Sequence, residues 1–273
     1  MKQVKAYVIS NKRILPSGPH RTGWALANHL IQLYCPEIAS EARSGQFVMV
    51  RCGEECTLPR PFSIHQVNTN GDIAIFFAVL EGGKGTDWLS QRQEGDTLEL
   101  LGPLGNGFSI YPSSRKLLLV TGGMGLAPLC FFAQQAIRAK RSVTLLLGAA
   151  TGPLYTQHPE NLLPPRIALA TATEDGSVGK KGRVTDLLPD FVGWADQIFA
   201  CGPIPMYQDI AQKRQELKLK EKPVQISMEV GMGCGRGICY GCTLKTKRGL
   251  KQVCQDGPVF DLDDVLWDEL TPI

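Results

Sequence analysis

Four cysteines late in the chain, Cys234, Cys239, Cys242 and Cys254, carry the most specific chemistry in the sequence. The first three are spaced C-x4-C-x2-C, and the fourth follows after eleven intervening residues. This is the plant-type spacing of four thiolates around a [2Fe–2S] cluster. Gly231, Gly233, Gly235, Gly237 and Gly241 fill the same stretch. A loop that wraps bridging sulfides must point backbone N–H groups inward, and glycine permits both the close approach and the φ > 0 turns this needs. A structural zinc site is the alternative. Such sites usually join two short Cys pairs, and here there is one C-x2-C pair. Disulfides are not expected, because the opening MKQVKAYVIS lacks an apolar run of signal-peptide length. Cys35, Cys52, Cys56, Cys130 and Cys201 are scattered, as reduced thiols would be. Cys52 and Cys56 could form half a metal site, but no third ligand is near them in sequence.

Four other sets could handle phosphates and ring systems. Arg60-Pro61-Phe62-Ser63 offers a guanidinium that can bind a pyrophosphate through two hydrogen bonds. The Ser63 hydroxyl both donates and accepts, so it could reach a flavin ring nitrogen. Gly82-Gly83-Lys84-Gly85-Thr86 leads into a short helix expected at 86–91, whose free N–H groups would face an anion. A flexible surface turn is the plain alternative. Residues 121–128 read TGGMGLAP and stand between an apolar run and a helix, with Pro128 near the helix's first position. Strand, glycine turn and helix in that order are the setting of a dinucleotide-phosphate loop. The third glycine of GxGxxG is missing from its place, so a tight turn without a ligand remains open. Cys201-Gly202-Pro203 repeats the arrangement and puts a thiol at a strand's C-terminal end, where α/β sheets bind ligands.

The elements needed to hold these sets can be read in outline. The 273 residues are 43% hydrophobic and 20% charged, which suits two or three packed domains. A net charge of +3 argues against a nucleic-acid binder and against a polybasic membrane surface. No stretch approaches the ~18 apolar residues of a membrane span, so a soluble cytoplasmic protein is expected. Short β-prone runs at 4–9, 26–33, 47–51, 73–79 and 97–101 predict a small antiparallel barrel. The segment 11–24, with Pro16, Gly18 and Pro19, is longer than a barrel turn needs and could displace the first strand's pairing. Strand-like runs at 117–120, 143–147, 167–172 and 198–200 then alternate with helical patterns near 128–140 and 205–220. That alternation predicts a parallel α/β sheet, closed by a strand at 224–229. The remainder forms a small unit that its metal must help to fold. The expected architecture is an antiparallel β-barrel flavin domain at 1–112, a parallel-sheet nucleotide domain at 113–223 and a [2Fe–2S] domain at 224–273. His20, His29, His65 and His158 have no Ser or Cys partner at motif spacing and read as surface or barrel residues. No catalytic acid–base residue is assigned.

In order, RPFS, GGKGT, GGMGLAP, CGPIPM and the cysteine set resemble the ferredoxin–NADP reductase superfamily, and within it the electron-transfer subunits of class 1B (NAD-dependent) dihydroorotate dehydrogenase. The resemblance covers nearly the whole chain and includes the stretch DGS…G at 175–182. It implies that Arg60, Pro61, Phe62 and Ser63 line FAD. Ala78, Val79 and Leu80 would contact its ring edge, and Gly85 and Thr86 its pyrophosphate. Gly122, Gly123, Gly125, Ala127 and Pro128, with Cys201, Gly202 and Pro203, would receive NAD. It further implies an FMN-containing catalytic subunit as partner, in an assembly of two catalytic and two electron-transfer subunits. Electrons from dihydroorotate would pass through the [2Fe–2S] cluster and FAD to NAD+, in pyrimidine biosynthesis. The run Gly148-Ala149-Ala150-Thr151 carries no Arg or Lys for a 2′-phosphate, which favours NAD over NADP, although Arg166 or Lys180 could still fold in. The rival readings are a ferredoxin:NADP reductase or sulfide-dehydrogenase type subunit, and a zinc-stapled nucleotide-binding regulatory module.

Overall fold

A computed structural model describes residues 1–15, 18–20, 23–152, 162–165, 167–216 and 222–270. The N-terminal half begins with strand β1 (Lys2–Leu15), in which Ala6 and Val8 turn inward while Lys5 and Tyr7 face out. This period of two is what a strand with one buried face requires. β2 (Gly18–His20), β3 (Gly23–Tyr34), β4 (Phe47–Val50), β5 (Arg60–Val67), β6 (Asp72–Leu80) and β7 (Thr97–Leu104) follow. The order β1-β7-β4-β5-β6-β3 is closed by antiparallel pairing of β1 with β3, and β2 folds back as a hairpin on β3. The result is the expected antiparallel barrel, with six strands in its wall. Closure leaves no unpaired edge in that ring. The segment 11–24 does not displace the first strand: β1 stays paired with β3 as far as Leu15 opposite Asn28. Register shifts at Val8/Ser10 and Arg13/Leu15 absorb the extra length.

The second half opens with β8 (Lys116–Gly122) and β9 (Ser142–Ala149), nearly continuous apolar runs buried on both faces, as central parallel strands must be. β10 (Ala168–Thr173), β11 (Lys180–Lys181), β12 (Gln197–Cys201) and β13 (Val224–Ser227) complete the parallel part in the order β11-β10-β9-β8-β12-β13. The chain travels to one side of β8 and returns to the other, so the switch point lies between the C-terminal ends of β8 and β12. Such a crevice is where open α/β sheets take ligands. The helices Leu126–Arg138 and Ile204–Glu216 cover the sheet. The predicted continuation of the second helix to 220 lies outside the described residues, as do Arg166 and His158.

The cysteine-rich segment forms a hairpin, β14 (Thr243–Thr246) and β15 (Gly249–Gln252), and then a short strand β16 (Val259–Asp261). β16 pairs antiparallel with β13. The strand predicted at 224–229 is, as β13, the last of the parallel strands, and a strand from the cysteine-rich segment extends the sheet past it. β13 itself lies in the parallel sheet, one residue beyond the expected limit of the nucleotide domain. One apolar core runs through Met49 and Leu104 of the barrel, Val120 and Ile226 of the sheet, and Cys242, Leu244 and Leu262 of the C-terminal segment. Fully buried His65 on β5 ties the barrel to the helix Leu126–Arg138, donating from Nδ1 to the Ala127 carbonyl at 3.1 Å. Burial holds its pKa down at about 4, so this contact is made by the neutral ring. Among the described residues no helix is long and apolar enough to cross a membrane.

Candidate cofactor and electron-transfer sites

Two adjoining cavities open along the barrel side of the switch point. A pocket of about 510 Å³ is lined by Arg60 at the start of β5 and by Gly83, Lys84, Gly85 and Thr86. A Cβ on Gly85 would stand 3.1 Å from Arg60 Cγ and 3.4 Å from Cys52 Cβ, so a larger residue there would press on the Arg60 side chain. Arg60 is positioned from its other side, where Nη1 donates to the Leu58 carbonyl at 2.6 Å. The Thr86 hydroxyl is committed to the turn. It accepts from Leu80 N–H at 3.2 Å and donates to the Gly83 carbonyl at 3.1 Å. A pocket with a guanidinium, a lysine and glycine backbone fits a pyrophosphate.

The second cavity, about 250 Å³, is lined by Pro61, Phe62 and Ser63 from β5, Ala78 and Leu80 from β6, and Met124 and Ala127 from the glycine turn and its helix. Aromatic and aliphatic walls with a few polar side chains, Ser63 and Ser227 among them, suit the edge of a flat ring system. Val79 does not line it. Successive strand side chains alternate faces, so Val79 packs into the barrel core while Ala78 and Leu80 reach the cavity.

The two nucleotide turns meet back to back. A Cβ on Gly125 would overlap the Cys201 carbonyl oxygen, and one on Gly122 would press Pro203 Cδ at 3.0 Å. Gly123 sits at φ 57, and a short 3-10 turn, Gly123–Gly125, precedes the helix. Gly125 thus provides the close approach that a later glycine gives in GxGxxG. Pro128 is the third helical residue, within the first turn. Cys201 is fully buried, and its thiol points toward the Ser227 carbonyl at 3.6 Å and Glu229 Oε1 at 3.7 Å. Burial, reinforced by the Glu229 charge, raises its pKa well above the usual thiol value.

In the cysteine loop the four thiols fall into two pairs, Cys234 with Cys239 and Cys242 with Cys254. The first pair is the outer one, with Cys239 exposed; Cys242 and Cys254 are buried. Backbone donors are turned onto the sulfurs. Arg236 N–H reaches Cys234 Sγ at 3.3 Å, Gly237 N–H reaches Cys254 Sγ at 3.1 Å, and Cys254 N–H reaches Cys242 Sγ at 3.4 Å. Burial opposes ionisation of Cys234, but the N–H groups of Arg236, Cys239 and Ile238 outweigh it and bring its pKa down to about 6. Burial and then the neighbouring Cys242 thiol push Cys254 up to about 12, a proton that a coordinated metal would displace. Gly233 and Gly241 border Cys239, and a Cβ on either would lie in ordinary contact with its Sγ at 3.5 or 3.6 Å. Gly235 and Gly237 take φ 67 and 75. Among the described residues no three His, Cys, Asp or Glu side chains converge as one metal ion would require. Two pairs of thiols fit two irons better than the single tetrahedral point of zinc.

Sequence reasoning missed two features. The stretch 229–234 lines both sites. Glu229, Val230 and Met232 line the ring cavity, while Gly231, Gly233 and Cys234 line a cleft of about 780 Å³ on the cysteine-loop side. Met232 and Cys234 are two residues apart, so their Cα atoms lie within about 7 Å. The second is Glu229, the one ionisable side chain among the described residues lining the ring cavity. Its position just before the cysteine loop was the available signal.

The sequence profile described as the iron-sulfur cluster binding domain of dihydroorotate dehydrogenase B matches residues 229–266. The profile described as the oxidoreductase FAD-binding domain matches residues 26–108. The chain is 36% identical over 249 residues to the dihydroorotate dehydrogenase B (NAD(+)) electron transfer subunit of Desulforamulus reducens, covering 88% of this chain and 93% of the relative. It is 35% identical over 270 residues to the subunit of the same name from Caldanaerobacter subterraneus subsp. tengcongensis, covering 97% and 99%. Among solved structures, an NADH-dependent reduced ferredoxin–NADP oxidoreductase studied for flavin-based electron bifurcation superposes with TM-score 0.80 at 29% identity, over 97% of this chain and 90% of that one. A ferredoxin NADP+ reductase from Neisseria gonorrhoeae with bound FAD and NADP shares the fold, with TM-score 0.63 and 18% identity, over 80% and 92% of the two chains.

Proposed function

The chain belongs to the dihydroorotate dehydrogenase B (NAD(+)) electron transfer subunits, and from that membership we propose that it relays electrons from an FMN-containing catalytic subunit to NAD+ in the cytoplasm, in pyrimidine biosynthesis. The observation that carries this reading is that the single stretch 229–234 lines both the ring cavity and the cysteine-loop cleft. A relay needs its two redox sites close and separately walled, and this stretch supplies both. Bound in these sites, FAD would exchange single electrons with a [2Fe–2S] cluster and a hydride with NAD+, chemistry that no side chain here supplies. Cys234, Cys239, Cys242 and Cys254 would hold the cluster. Arg60, Gly85 and the backbone at Thr86 would hold the FAD pyrophosphate, with Phe62, Ser63, Ala78 and Leu80 around its ring. The turns at 122–128 and 201–203 would seat NAD. The flavin domain is taken as 1–112, the nucleotide domain as 113–223 with β13 added, and the cluster unit as the remainder. The assembly contains two catalytic and two electron-transfer subunits.

One proton must accompany every two electrons that leave as hydride, because electrons drawn from a cluster carry none. Glu229, which lines the ring cavity with Ser63, is placed to hold that proton at its carboxylate, with the buried Cys201 thiol behind it. General acid–base groups typically contribute about 10²–10⁴-fold. Glu229→Gln is therefore expected to slow NADH oxidation about a hundredfold or more with its flavin content unchanged. A rate within a factor of two of the parent would remove Glu229 from this role.

Arg60→Ala should weaken FAD roughly ten- to a hundredfold, since a charge-assisted hydrogen bond contributes about 1.5–3 kcal/mol. Fluorescence titration of the apoprotein measures this, and an unchanged dissociation constant would place the pyrophosphate elsewhere. The reading as a whole is tested on the isolated chain. It should show flavin and [2Fe–2S] absorption, oxidise NADH with an artificial acceptor, and leave dihydroorotate untouched until the catalytic subunit is added. Dihydroorotate oxidation by the isolated chain would overturn it.

A further inference from the structure

His65 holds no cofactor in the proposed relay, yet it ties the flavin barrel to the nucleotide sheet. It is fully buried on β5, and its Nδ1 donates to the Ala127 carbonyl at 3.1 Å. Its Nε2 is buried with no hydrogen-bond partner. In an α-helix a carbonyl near the start already accepts from the N–H four residues on, so the helix does not need His65 to satisfy Ala127. An apolar side chain would fill the space without burying an unpaired nitrogen; the donor at Nδ1 is what the histidine adds. Gln66 doubles the tie, its Nε2 donating to Cys130 Sγ of the same helix at 3.6 Å. Successive strand side chains ordinarily face opposite ways. These two reach one helix because the pairing of β5 with β6 slips: Ile64 faces Ile75 and Gln66 faces Ala74, two steps on β5 for one on β6. His65 is the extra residue of a β-bulge, a device that re-aims side chains beside active sites. Without it Gln66 would follow Ile64 into the barrel core. Both ends of the tie lead to the ring cavity. Ser63, two residues before His65, lines it from the barrel, and Ala127 lines it from the helix. Phe76 lines it too, and the His65 ring packs against Phe76 with centroids 5.6 Å apart.

We infer that His65, backed by Gln66, is a positioning residue that sets how the nicotinamide seat lies against the flavin seat. This rests on the reading that the ring cavity takes the flavin and the turn at 122–128 takes NAD. The two seats belong to different sheets, and the grip of β5 on the helix Leu126–Arg138 is a place where those sheets are joined. Hydride transfer needs its reacting atoms about 3–3.5 Å apart and aligned, and a misplacement of about 1 Å can cost about a hundredfold in rate. One strand lines the flavin side through Ser63 and, two residues later, grips the helix that follows the glycine turn. The acceptor is a backbone carbonyl, so the grip fixes the helix itself and not a rotatable side chain on it.

The test compares the FAD-loaded protein with His65→Phe, which keeps a buried ring and removes the donor. Stopped-flow mixing with NADH gives the rate of flavin reduction and, from its concentration dependence, the NADH affinity. The long-wavelength absorption band of a nicotinamide stacked on flavin reports the seating separately from the rate. In His65→Phe, reduction at saturating NADH should slow about ten- to a hundredfold and the band should weaken, with NADH affinity and flavin content unchanged. His65→Asn, whose side-chain N–H falls close to the place of Nδ1, should restore most of the rate and the band. A parental rate and band in His65→Phe overturns the inference. So does a joint loss of rate, affinity and flavin, which is what a merely structural role gives, and so does an Asn variant no better than the Phe variant. Where His65→Phe does not fold, Gln66→Leu reads the same grip from a half-buried position: slower reduction at unchanged affinity is expected, and a parental rate overturns the inference. A parent protein that binds FAD but is not reduced by NADH overturns the reading of the two seats, and the inference with it.

Discussion

Cys239→Ala is expected to reduce the iron content from two per chain to none and to abolish every reaction that needs electrons to cross the cluster. Cys239 belongs to the outer thiol pair, is exposed, and lies beside Gly233 and Gly241. Losing one of four thiolates leaves an iron with an open position in a loop that has few contacts of its own. Metal binding and loop folding are coupled in such sites, so the disorder should spread along 231–256. It should stop there, because β16 is hydrogen-bonded into the nucleotide sheet and Leu262 and Val265 are packed in the shared core. Iron analysis, the visible spectrum and amide exchange measure the three parts. NADH oxidation through the flavin by an artificial acceptor should persist. Retention of two irons per chain would show that Cys239 is not a ligand.

Tyr240→Glu is expected to abolish co-purification with the catalytic subunit and dihydroorotate-dependent NAD+ reduction together. Ile238 and Tyr240 stand 70% and 68% exposed on the loop that carries the outer thiol pair, and Leu58 beside Gly233 is 52% exposed. Large apolar side chains with few charges are what the buried centre of a lasting interface uses. Tyr240 also takes φ 58, a backbone state that costs a non-glycine residue about 1 kcal/mol or more and persists at functional sites. Tyr and Glu bear that strain alike, so the substitution reads the charge and not the backbone. A buried unpaired carboxylate at an interface is strongly unfavourable, which is why an all-or-none effect is expected. NADH oxidation by the isolated variant should stay close to the parent rate. Normal coupling and co-purification would move the docking face elsewhere.

Much of this was legible along the chain, for a definite reason. Ligands that close on a metal from a single loop must be separated by short fixed spacings, so the cysteine set announced itself at C-x4-C-x2-C-x11-C. Strand, glycine turn and helix are local events too, which is why GGMG and CGP were placed at the ends of β8 and β12 before any contact was known. The barrel followed from alternation, and its strands were found where apolar residues recur at every second position. The segment 11–24 failed because a strand carried past its turn by register shifts has no local mark other than length.

The sequence by itself thus determined which residues could ligate, cradle or pack, and in what order. Tertiary structure alone decided which faces they share. Glu229 lines one cavity with Ser63 of a strand far earlier in the chain, Val79 turns away from the cavity its neighbours line, and β16 returns to finish a sheet begun over a hundred residues before. Gly125 and Cys201, 76 positions apart, touch backbone to backbone. The physical reason is that spacing encodes only contacts closed within a turn or a loop. Contacts between elements are set by how whole apolar faces are buried against one another, and that packing is a property of the full chain.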